Sequence, residues 1–172
     1  VVPMEHHYLI TESIPEIEAL EKGQRLPVGT DFDGNIYFRQ EGNGMLLGTY
    51  EAKSTPWQEK GTPMYFGHEL LDAKLENIQD RLAIGFKRIP ALEKAGIKNI
   101  ISGGFTLGPY GNPLIGPVPG KKNYWGAVAI MAGFCRAGSV GKSIAEWIID
   151  GEPSIDVWAM DVARFGNYAS PA

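Results

Sequence analysis

Two stretches of the chain place apolar residues three or four positions apart, which is the spacing of an amphipathic helix. The apolar positions of the first stretch are Leu71, Leu75, Ile78, Leu82 and Phe86. They predict a helix from about Glu69 to Lys87. The apolar positions of the second stretch are Val140, Ile144, Trp147 and Ile148. They predict a helix that ends near Asp150 and Gly151. A third, short helix is predicted at Ala91 to Ala95, because this run lies between a proline and a glycine.

Several shorter apolar segments are bounded by turn-forming residues and predict β-strands. We expect strands at His7 to Thr11, Ile36 to Gln40, Met45 to Tyr50 and Ile97 to Leu107. The second and third of these are separated only by the turn Glu41 to Gly44, which predicts a hairpin. An antiparallel sheet with one solvated face accommodates such a hairpin.

The C-terminal third has a different order of elements. Asn123 to Ile130 is an apolar run that predicts a buried strand, Met131 to Gly141 is a glycine-rich turn, and the second amphipathic helix follows. Ser154 to Ala172 is predicted to hold a short strand and then surface coil. The whole pattern predicts an α/β (α+β) fold, in which an antiparallel sheet with helices is combined with a strand–turn–helix unit.

A glycine-rich turn before a helix is a candidate ligand site. It exposes backbone N–H groups at the helix N-terminus, where the helix dipole also favours negative charge. Gly133, Gly138 and Gly141 would let a planar or phosphorylated ligand approach the backbone. A tight strand–helix connection without a ligand has the same pattern, so the glycines alone leave both interpretations open.

Two ligand classes fit such a turn. A nucleoside triphosphate is one, because Gly138 to Ser143 resembles the end of a phosphate-binding loop, with Lys and Ser after the last Gly. That motif also needs a Gly at position 136, where this chain has Arg136. A flavin is the other class. On reduction, negative charge develops at N1 and the C2 carbonyl of the isoalloxazine, and a helix N-terminus aimed there stabilises it.

Several segments resemble one family of flavoenzymes. They are Met4 to Glu12, Tyr37 to Glu41, Gly111 to Pro117, Asn123 to Trp125, Gly141 to Pro153, Asp156 to Trp158 and Asp161 to Gly166. Taken in order over nearly the whole chain, they are similar to dimethylglycine and sarcosine dehydrogenases, which are FAD-dependent amine oxidoreductases of the D-amino-acid-oxidase-like superfamily. The resemblance implies a Rossmann-like FAD domain and a substrate domain with an antiparallel sheet.

The resemblance also implies how the chain is divided. Residues 1–107 match mainly the sheet and helices of the substrate domain, and residues 108–172 match the C-terminal, flavin-contacting part of the FAD domain. The sequence has no Gly-x-Gly-x-x-Gly fingerprint opening a strand–turn–helix unit, which would bind the FAD pyrophosphate. We therefore expect the N-terminal dinucleotide-binding half to be absent and this segment to be inactive alone. The remainder of the same polypeptide or a companion chain is its expected partner.

A mechanism and a set of site residues follow from the resemblance. An N-methylated amine lies against the FAD and a hydride equivalent passes to flavin N5. The iminium that results is hydrolysed, or is captured by tetrahydrofolate in a downstream domain. Tyr8 matches a tyrosine near flavin and substrate and is the expected catalytic residue. The expected cofactor-binding residues are Tyr8, Pro113, Gly116, Gly133, Phe134, Cys135, Arg136, Gly138 and Gly141.

Three positions qualify the resemblance. Gly104 and Tyr110 stand where the family pattern has Pro and Asp, which leaves the identity of the substrate open. Arg136 suits an anionic flavin or a substrate carboxylate, but a surface arginine has the same sequence signature.

Composition and charge exclude several other classes of protein. The 172 residues are 44% hydrophobic and 21% charged, with a formal net charge of −4 and no basic run, so no nucleic-acid partner is expected. No apolar run is long enough for a membrane span. No metal site is expected, because adjacent His6 and His7 point to opposite faces of a strand. Cys135, the lone cysteine, implies no internal disulfide and is more typical of a small packing residue than of a nucleophile.

The remaining expectations concern partners and location. A small-molecule amine and an electron-acceptor protein are the expected partners. The expected location is cytoplasmic, or the mitochondrial matrix if the source is eukaryotic. A non-enzymatic interpretation stays open beside these, in which the chain is an interaction module that binds neither flavin nor nucleotide.

Overall fold

The computed structural model describes residues 2–67 and 69–166, and the chain forms two compact units. The sheet unit is Met4–Gly104, and the helix unit is Phe105–Ala172 together with Val1–Pro3. Each unit has its own buried hydrophobic cluster.

Five strands and three helices build the first part of the chain. The strands are β1 (Val2–Thr11), β2 (Gly29–Asp31), β3 (Ile36–Glu41), β4 (Gly44–Thr49) and β5 (Ile97–Leu107), in the spatial order β2-β3-β4-β1-β5. β3 pairs antiparallel with both β2 and β4, and β4 pairs antiparallel with β1. The helices are α1 (Pro15–Glu18), α2 (Gln79–Arg88) and α3 (Ala91–Lys94), and a 3-10 turn at Leu75–Asn77 precedes α2. The predicted mixed fold with an antiparallel sheet is confirmed.

Side chains of β1 alternate between a buried face and a less buried face, as the period of two along a strand requires. On β1, Leu9 is buried while its neighbours Tyr8 and Ile10 are half-buried. The buried core of the sheet unit consists of Leu9, Ile14, Ile17, Ile36, Met45, Leu47, Ile78, Leu82 and Leu92. This core fixes the register of the strands, because a slip by one residue would turn every core side chain to the opposite face.

Most of the predicted elements of the sheet unit are confirmed. The hairpin β3–β4, the strand β5 and the short helix α3 lie at the predicted positions, and β1 is longer than predicted. The predicted helix from Glu69 to Lys87 is wrong over its first half, because α2 begins at Gln79. The Leu71 N–H donates to the Ser102 carbonyl at 2.9 Å, which holds this segment against β5. Leu75 is 42% exposed, so the early part of the apolar stripe does not share the buried face of α2.

A two-stranded ribbon and one long helix make up the helix unit. β6 (Leu114–Pro117) pairs antiparallel with β7 (Trp125–Val128), and α4 (Gly133–Asp150) follows. Its buried cluster consists of Ile115, Val140 and Val157. Three 3-10 turns occupy Pro109–Gly111, Trp158–Met160 and Val162–Phe165. Among the described residues, no helix combines the length and the apolar character that crossing a bilayer requires.

Two predictions about the approach to α4 are wrong. The expected buried strand is β7, but Ala127 and Val128 are exposed, since a ribbon of two strands can bury only part of its surface. The expected glycine-rich turn is largely helical, because α4 begins at Gly133 and contains both Gly138 and Gly141. A glycine costs a helix about 1 kcal/mol relative to alanine, and the packing of the apolar stripe of α4 offsets this cost.

The expected strand after Ser154 is also wrong over the described part of the tail. Residues 154–166 form two of the 3-10 turns and a single bridge between Asp161 and Ile115. The Asp161 side chain accepts a hydrogen bond from the Ala163 N–H at 2.7 Å, and this cap favours a turn over an extended strand. The coil predicted at 167–172 lies outside the described residues.

The contact between α2 and the sheet can be tested with Gly85→Ala. A Cβ at position 85 would lie 2.4 Å from Leu47 Cδ2, and Leu47 is fully buried. The overpacking should lower the free energy of unfolding by about 1–3 kcal/mol. The matched change Gly138→Ala adds a Cβ that meets nothing within 4 Å, and it should raise the free energy of unfolding by up to about 1 kcal/mol. Urea denaturation measures both values, and effects of the same sign would contradict this account.

Candidate functional site

The backbone immediately before α4 is strained. Ala132, the N-cap residue, has a left-handed conformation with φ 53° and ψ 51°, and Ala129 has a φ of 56°. A left-handed conformation costs a residue that carries a Cβ about 1–2 kcal/mol. Such strain persists where the surrounding structure imposes it, and it is concentrated at functional sites. The sharp bend of the chain therefore lies at residues 129–132, just before the predicted position.

The first turn of α4 has backbone donors that no side chain caps. Among the residues that the structure describes, no side chain accepts a hydrogen bond from the start of this helix, and Ala132 has no side-chain oxygen with which to do so. The dipole of the helix adds roughly half a positive charge at this end. Donors and dipole together favour an anionic or electron-rich group.

The surface around this first turn is open. Phe134 and Cys135 are exposed, and a Cβ added at Gly133, Gly138 or Gly141 would meet nothing within 4 Å. The interpretation of Cys135 as a packing residue is therefore wrong, because its side chain faces solvent. Within residues 2–67 and 69–166, no atom lies in the space that a Cβ at these three glycines would occupy, so the helix surface is open there to a planar ligand.

A cleft beside the first turn of α4 brings two of the predicted residues together. It has a volume of about 310 Å³, and its lining includes Asn112, Pro113, Ile115, Arg136, Ser139 and Ser143. Pro113 comes from the segment before β6 and Arg136 from α4. Gly116 has a different environment, because a Cβ there would lie 2.8 Å from the Trp147 ring. Gly116 therefore allows β6 to pack closely on α4.

The phosphate-binding-loop alternative is not supported by the backbone. Gly138 to Ser143 lies in the middle of α4. Inside a helix the N–H groups donate to carbonyls of the preceding turn, so they are not free to surround a phosphate. Lys142 is an exposed helical residue whose Nζ lies 3.4 Å from Glu146 Oε1, one turn further along.

Tyr8 lies on the less buried face of β1, in a row with a second tyrosine. It pairs with Gly48 on β4, and Gly48 pairs with Tyr37 on β3. A Cβ at Gly48 would lie 1.9 Å from the Tyr37 ring, so the ring covers the glycine. The ring of His6 lies 6.3 Å from that of Tyr37, and Tyr50 lies 5.4 Å from His6 and 5.6 Å from Tyr37. His6, Tyr8, Tyr37 and Tyr50 together form what we term the aromatic face.

Glu51 follows β4 and accepts hydrogen bonds from two consecutive residues of β1. The His7 backbone N–H donates to Oε1 at 2.7 Å, His7 Nδ1 lies 3.0 Å from Oε1, and His6 Nδ1 lies 2.9 Å from Oε2. Adjacent strand residues face opposite sides, and Glu51 reaches both because it stands just beyond the end of β4. Among the described residues, no group of three or more His, Cys, Asp or Glu side chains is arranged to hold a metal ion.

Glu51, beside the aromatic face, and Tyr37, within it, both have shifted pKa values. Burial raises the pKa of the Glu51 carboxyl, but hydrogen bonds from His6, from the backbone of Glu51 itself and from His7 outweigh it, so the pKa lies below its usual value. Burial raises the pKa of Tyr37 to about 12, and Tyr50 and Glu51 add to this increase. At neutral pH, Glu51 is therefore a hydrogen-bond acceptor and Tyr37 keeps its proton.

Sequence reasoning placed Tyr8 but missed its neighbours on the sheet. Tyr8 belongs to the sheet unit, and the other predicted site residues belong to the helix unit. The sequence pattern could have indicated His6, Tyr37 and Tyr50, because aromatic residues at alternate positions of predicted strands share a face. No sequence pattern indicates Glu51 or the strained alanines.

Comparison with known proteins establishes the family. A family model described as FAD dependent oxidoreductase matches residues 1–147. The chain belongs to this family.

Individual relatives agree with the sequence resemblance. Dimethylglycine dehydrogenase, mitochondrial, of Mus musculus is 38% identical over 175 residues, covering 99% of this chain and 20% of that protein. Sarcosine dehydrogenase, mitochondrial, of Mus musculus is 32% identical over 166 residues, covering 96% of this chain and 17% of that protein. The chain therefore spans about a fifth of the length of these curated relatives. The predicted resemblance to FAD-dependent amine oxidoreductases is confirmed.

A solved structure shows the same fold. L-proline dehydrogenase from P. horikoshii has a TM-score of 0.70 and 24% sequence identity, and the match covers 95% of this chain and 40% of that chain. The likeness supports the arrangement of sheet and helices described above.

The strain at the bend before α4 predicts a large cost for a β-branched side chain. Ala132→Val should lower the free energy of unfolding by more than about 1 kcal/mol, because a branched Cβ fits the left-handed region poorly. The same change at Ala137, an exposed position inside α4, should cost less than about 0.7 kcal/mol, the ordinary range of helix propensity. Chemical denaturation of the two variants compares these costs, and a loss at Ala137 as large as that at Ala132 would argue against a strained bend.

Proposed function

We propose that this chain is part of a flavoprotein that oxidises an N-methylated amine or amino acid by hydride transfer to FAD. The observation that carries the proposal is the open, uncapped start of α4 in a chain whose relatives are dimethylglycine and sarcosine dehydrogenases. FAD, when bound, supplies the acceptor for the hydride equivalent.

The residues at the start of α4 fit a flavin. The N–H groups at Gly133 and Phe134 are the donors that would face the electron-rich edge of the reduced ring, whereas the Cys135 N–H donates to the Ala132 carbonyl at 3.1 Å. Arg136, in the adjoining cleft with Pro113, adds a positive charge suited to an anionic flavin or a substrate carboxylate. The open surface at Gly138 and Gly141 extends the side of the helix along which the cofactor would lie.

The aromatic face suits the substrate. Tyr8, the expected catalytic residue, stands there beside His6, Tyr37 and Tyr50. Aromatic rings attract the cationic head of a methylated amine, and their faces also pack against its methyl groups. Tyr110 is 89% exposed with a φ of 60°. The family pattern has an aspartate at this position, so the tyrosine would give the substrate different surroundings.

The proposal extends to products, partners and location. Oxidation of the N-methyl group gives an iminium, which is hydrolysed, or captured by tetrahydrofolate where a folate-binding domain accompanies the flavin domain. An electron-acceptor protein and the remainder of the polypeptide or a companion chain complete the catalytic cycle. Both relatives described above are named as mitochondrial, which supports the mitochondrial matrix if the source is eukaryotic.

Flavin binding at α4 can be tested by filling its open surface. Gly133→Leu and Gly138→Leu add side chains whose Cβ atoms meet nothing within 4 Å among the described residues, so a loss of flavin in a folded variant reports contact with the ligand. We expect the dissociation constant for FAD to rise at least about tenfold, equivalent to about 1.4 kcal/mol. Ala145→Leu, at an exposed position further along α4, is the matched control and should leave the constant unchanged. Titration of the apoprotein by flavin fluorescence measures this, and unaltered affinity in both glycine variants would refute the site.

The substrate class is tested by anaerobic reduction of the flavin. Dimethylglycine and sarcosine should bleach the visible absorbance of the native protein, and the unmethylated parent glycine should do so far more slowly. Tyr8→Phe should lower the rate of bleaching about 10²-fold or more, because the hydroxyl acts on the substrate, and should change FAD affinity far less, because the ring that would contact the cofactor is retained. Equal rates for methylated and unmethylated amines would contradict the substrate class, and absence of flavin from the native protein would favour the non-enzymatic interpretation.

A further inference from the structure

The Glu51 carboxylate determines where two imidazole protons lie. An ionised carboxylate can only accept hydrogen bonds, and both Nδ1 atoms, of His6 and of His7, lie within 3.0 Å of it. Each Nδ1 therefore carries a proton. In a neutral imidazole this leaves the lone pair on Nε2.

The two histidines use this arrangement differently. His7 is fully buried, and its Nε2 has no hydrogen-bond partner among the described residues. His6 lies on the aromatic face, and its Nε2 is 3.3 Å from the Tyr37 hydroxyl oxygen. When the His6 ring is neutral, this Nε2 bears a lone pair and the Tyr37 hydroxyl is the donor. A directed chain of hydrogen bonds therefore runs from Tyr37 through His6 to Glu51.

We propose that Glu51 is a positioning residue for amine oxidation, and that the chain Tyr37–His6–Glu51 takes up the proton that the substrate ammonium must lose. The inference rests on the proposed function and names the residues that prepare its substrate. Tyr37 belongs to the same row of the sheet as Tyr8, so it stands next to the tyrosine assigned to the substrate.

The chemistry of the substrate requires such an acceptor. A protonated amine has no lone pair on nitrogen, and without one the loss of a hydride equivalent from carbon cannot form an iminium. In the proposed step, the ammonium N–H bond breaks and its proton bonds to the Tyr37 oxygen, while the Tyr37 proton moves to His6 Nε2. The products are a neutral amine and an imidazolium whose Nδ1–H still donates to the Glu51 carboxylate. One proton enters the hydrogen-bonded chain and none leaves. The substrate loses one positive charge and the His6 imidazole gains it, so the total charge is conserved.

The other ionisable groups near the hydrogen-bonded chain do not take the place of Glu51 as the acceptor from His6. Tyr8 and Tyr50 face Tyr37 from β1 and from the end of β4, and Arg39 faces it from β3. Arg39 pairs with the exposed carboxylate of Glu41. Glu51 is the carboxylate that contacts both histidines, and its side chain is only 5% exposed.

The first measurement needs no turnover. The intact flavin-loaded protein is labelled with ¹⁵N in histidine, and His6→Gln assigns the His6 signals. We expect a protonated Nδ1 and an unprotonated Nε2 in the native protein. Glu51→Gln should convert His6 to a mixture of tautomers, because an amide can donate as well as accept, whereas the matched change Glu41→Gln should leave the signals unchanged. A native His6 with its proton on Nε2 would overturn the inference, and this result does not depend on whether Glu51→Gln folds.

The second measurement addresses the reaction. Glu51→Gln should lower kcat/KM for sarcosine or dimethylglycine about 10- to 100-fold, with an unchanged flavin spectrum. The ascending limb of the pH profile of kcat/KM should move to lower pH, because loss of the negative charge disfavours the protonated imidazole. Tyr37→Phe should also lower kcat/KM, and Glu41→Gln should have the native profile.

The two measurements separate the two claims. If neither amine is oxidised, the proposed substrate class fails, while the tautomer of His6 still decides whether Glu51 positions it. If the tautomer changes in Glu51→Gln but kcat/KM and its pH profile do not, Glu51 has no part in the reaction and the inference is overturned.

Discussion

The register of the central strands is the constraint on which the sheet unit depends. Pairing of Leu9 with Leu47 and of Phe38 with Leu47 directs one set of side chains into the core. The same register places Tyr8, Gly48 and Tyr37 in a row on the opposite face. Gly48 is essential to that row, because any side chain there would occupy the space of the Tyr37 ring. Stability and chemistry are therefore coupled in these strands, since a change of register that emptied the core would also dismantle the aromatic face.

A different constraint governs the helix unit. Val140 and Ile115 belong to the cluster that anchors α4 against β6, and Gly116 lets the Trp147 ring pack closely on the strand. With its middle and later part held in this way, α4 presents its first turn without help from a cap. Open surface at Gly133 and strain at Ala132 are then tolerated, because the packing further along the helix stabilises it. Gly133, at the end of α4 that would meet a ligand, thus precedes Val140, the buried residue that anchors the helix, by about two helical turns.

The sequence was most informative where one local rule decided the structure. The hairpin between Ile36 and Thr49 follows from alternation and a turn, and α3 follows from its flanking proline and glycine. Sequence-based prediction failed where contacts between distant parts of the chain decided the structure. The stripe that begins at Leu71 has helical spacing, but the hydrogen bond to Ser102 holds its first part against a strand. The bend at Ala129 and Ala132 could not be foreseen, since alanine is a poor residue for a left-handed conformation. Resemblance supplied Tyr8, whereas Glu51 emerged only when the register of β1 and β4 was known.

Departures from ordinary stability rules coincide with the two regions to which function is assigned. In the helix unit these are two left-handed alanines, an uncapped helix start and an exposed Phe134. In the sheet unit it is the buried Nε2 of His7, which has no partner among the described residues. Each of these features lowers stability. In a protein selected for stability alone, we would expect a capping serine at the helix start, a smaller side chain in place of the exposed phenylalanine and an apolar residue in place of the buried imidazole. Their retention side by side with well-packed cores is the pattern expected when a ligand or a reaction, rather than folding, determines the residue.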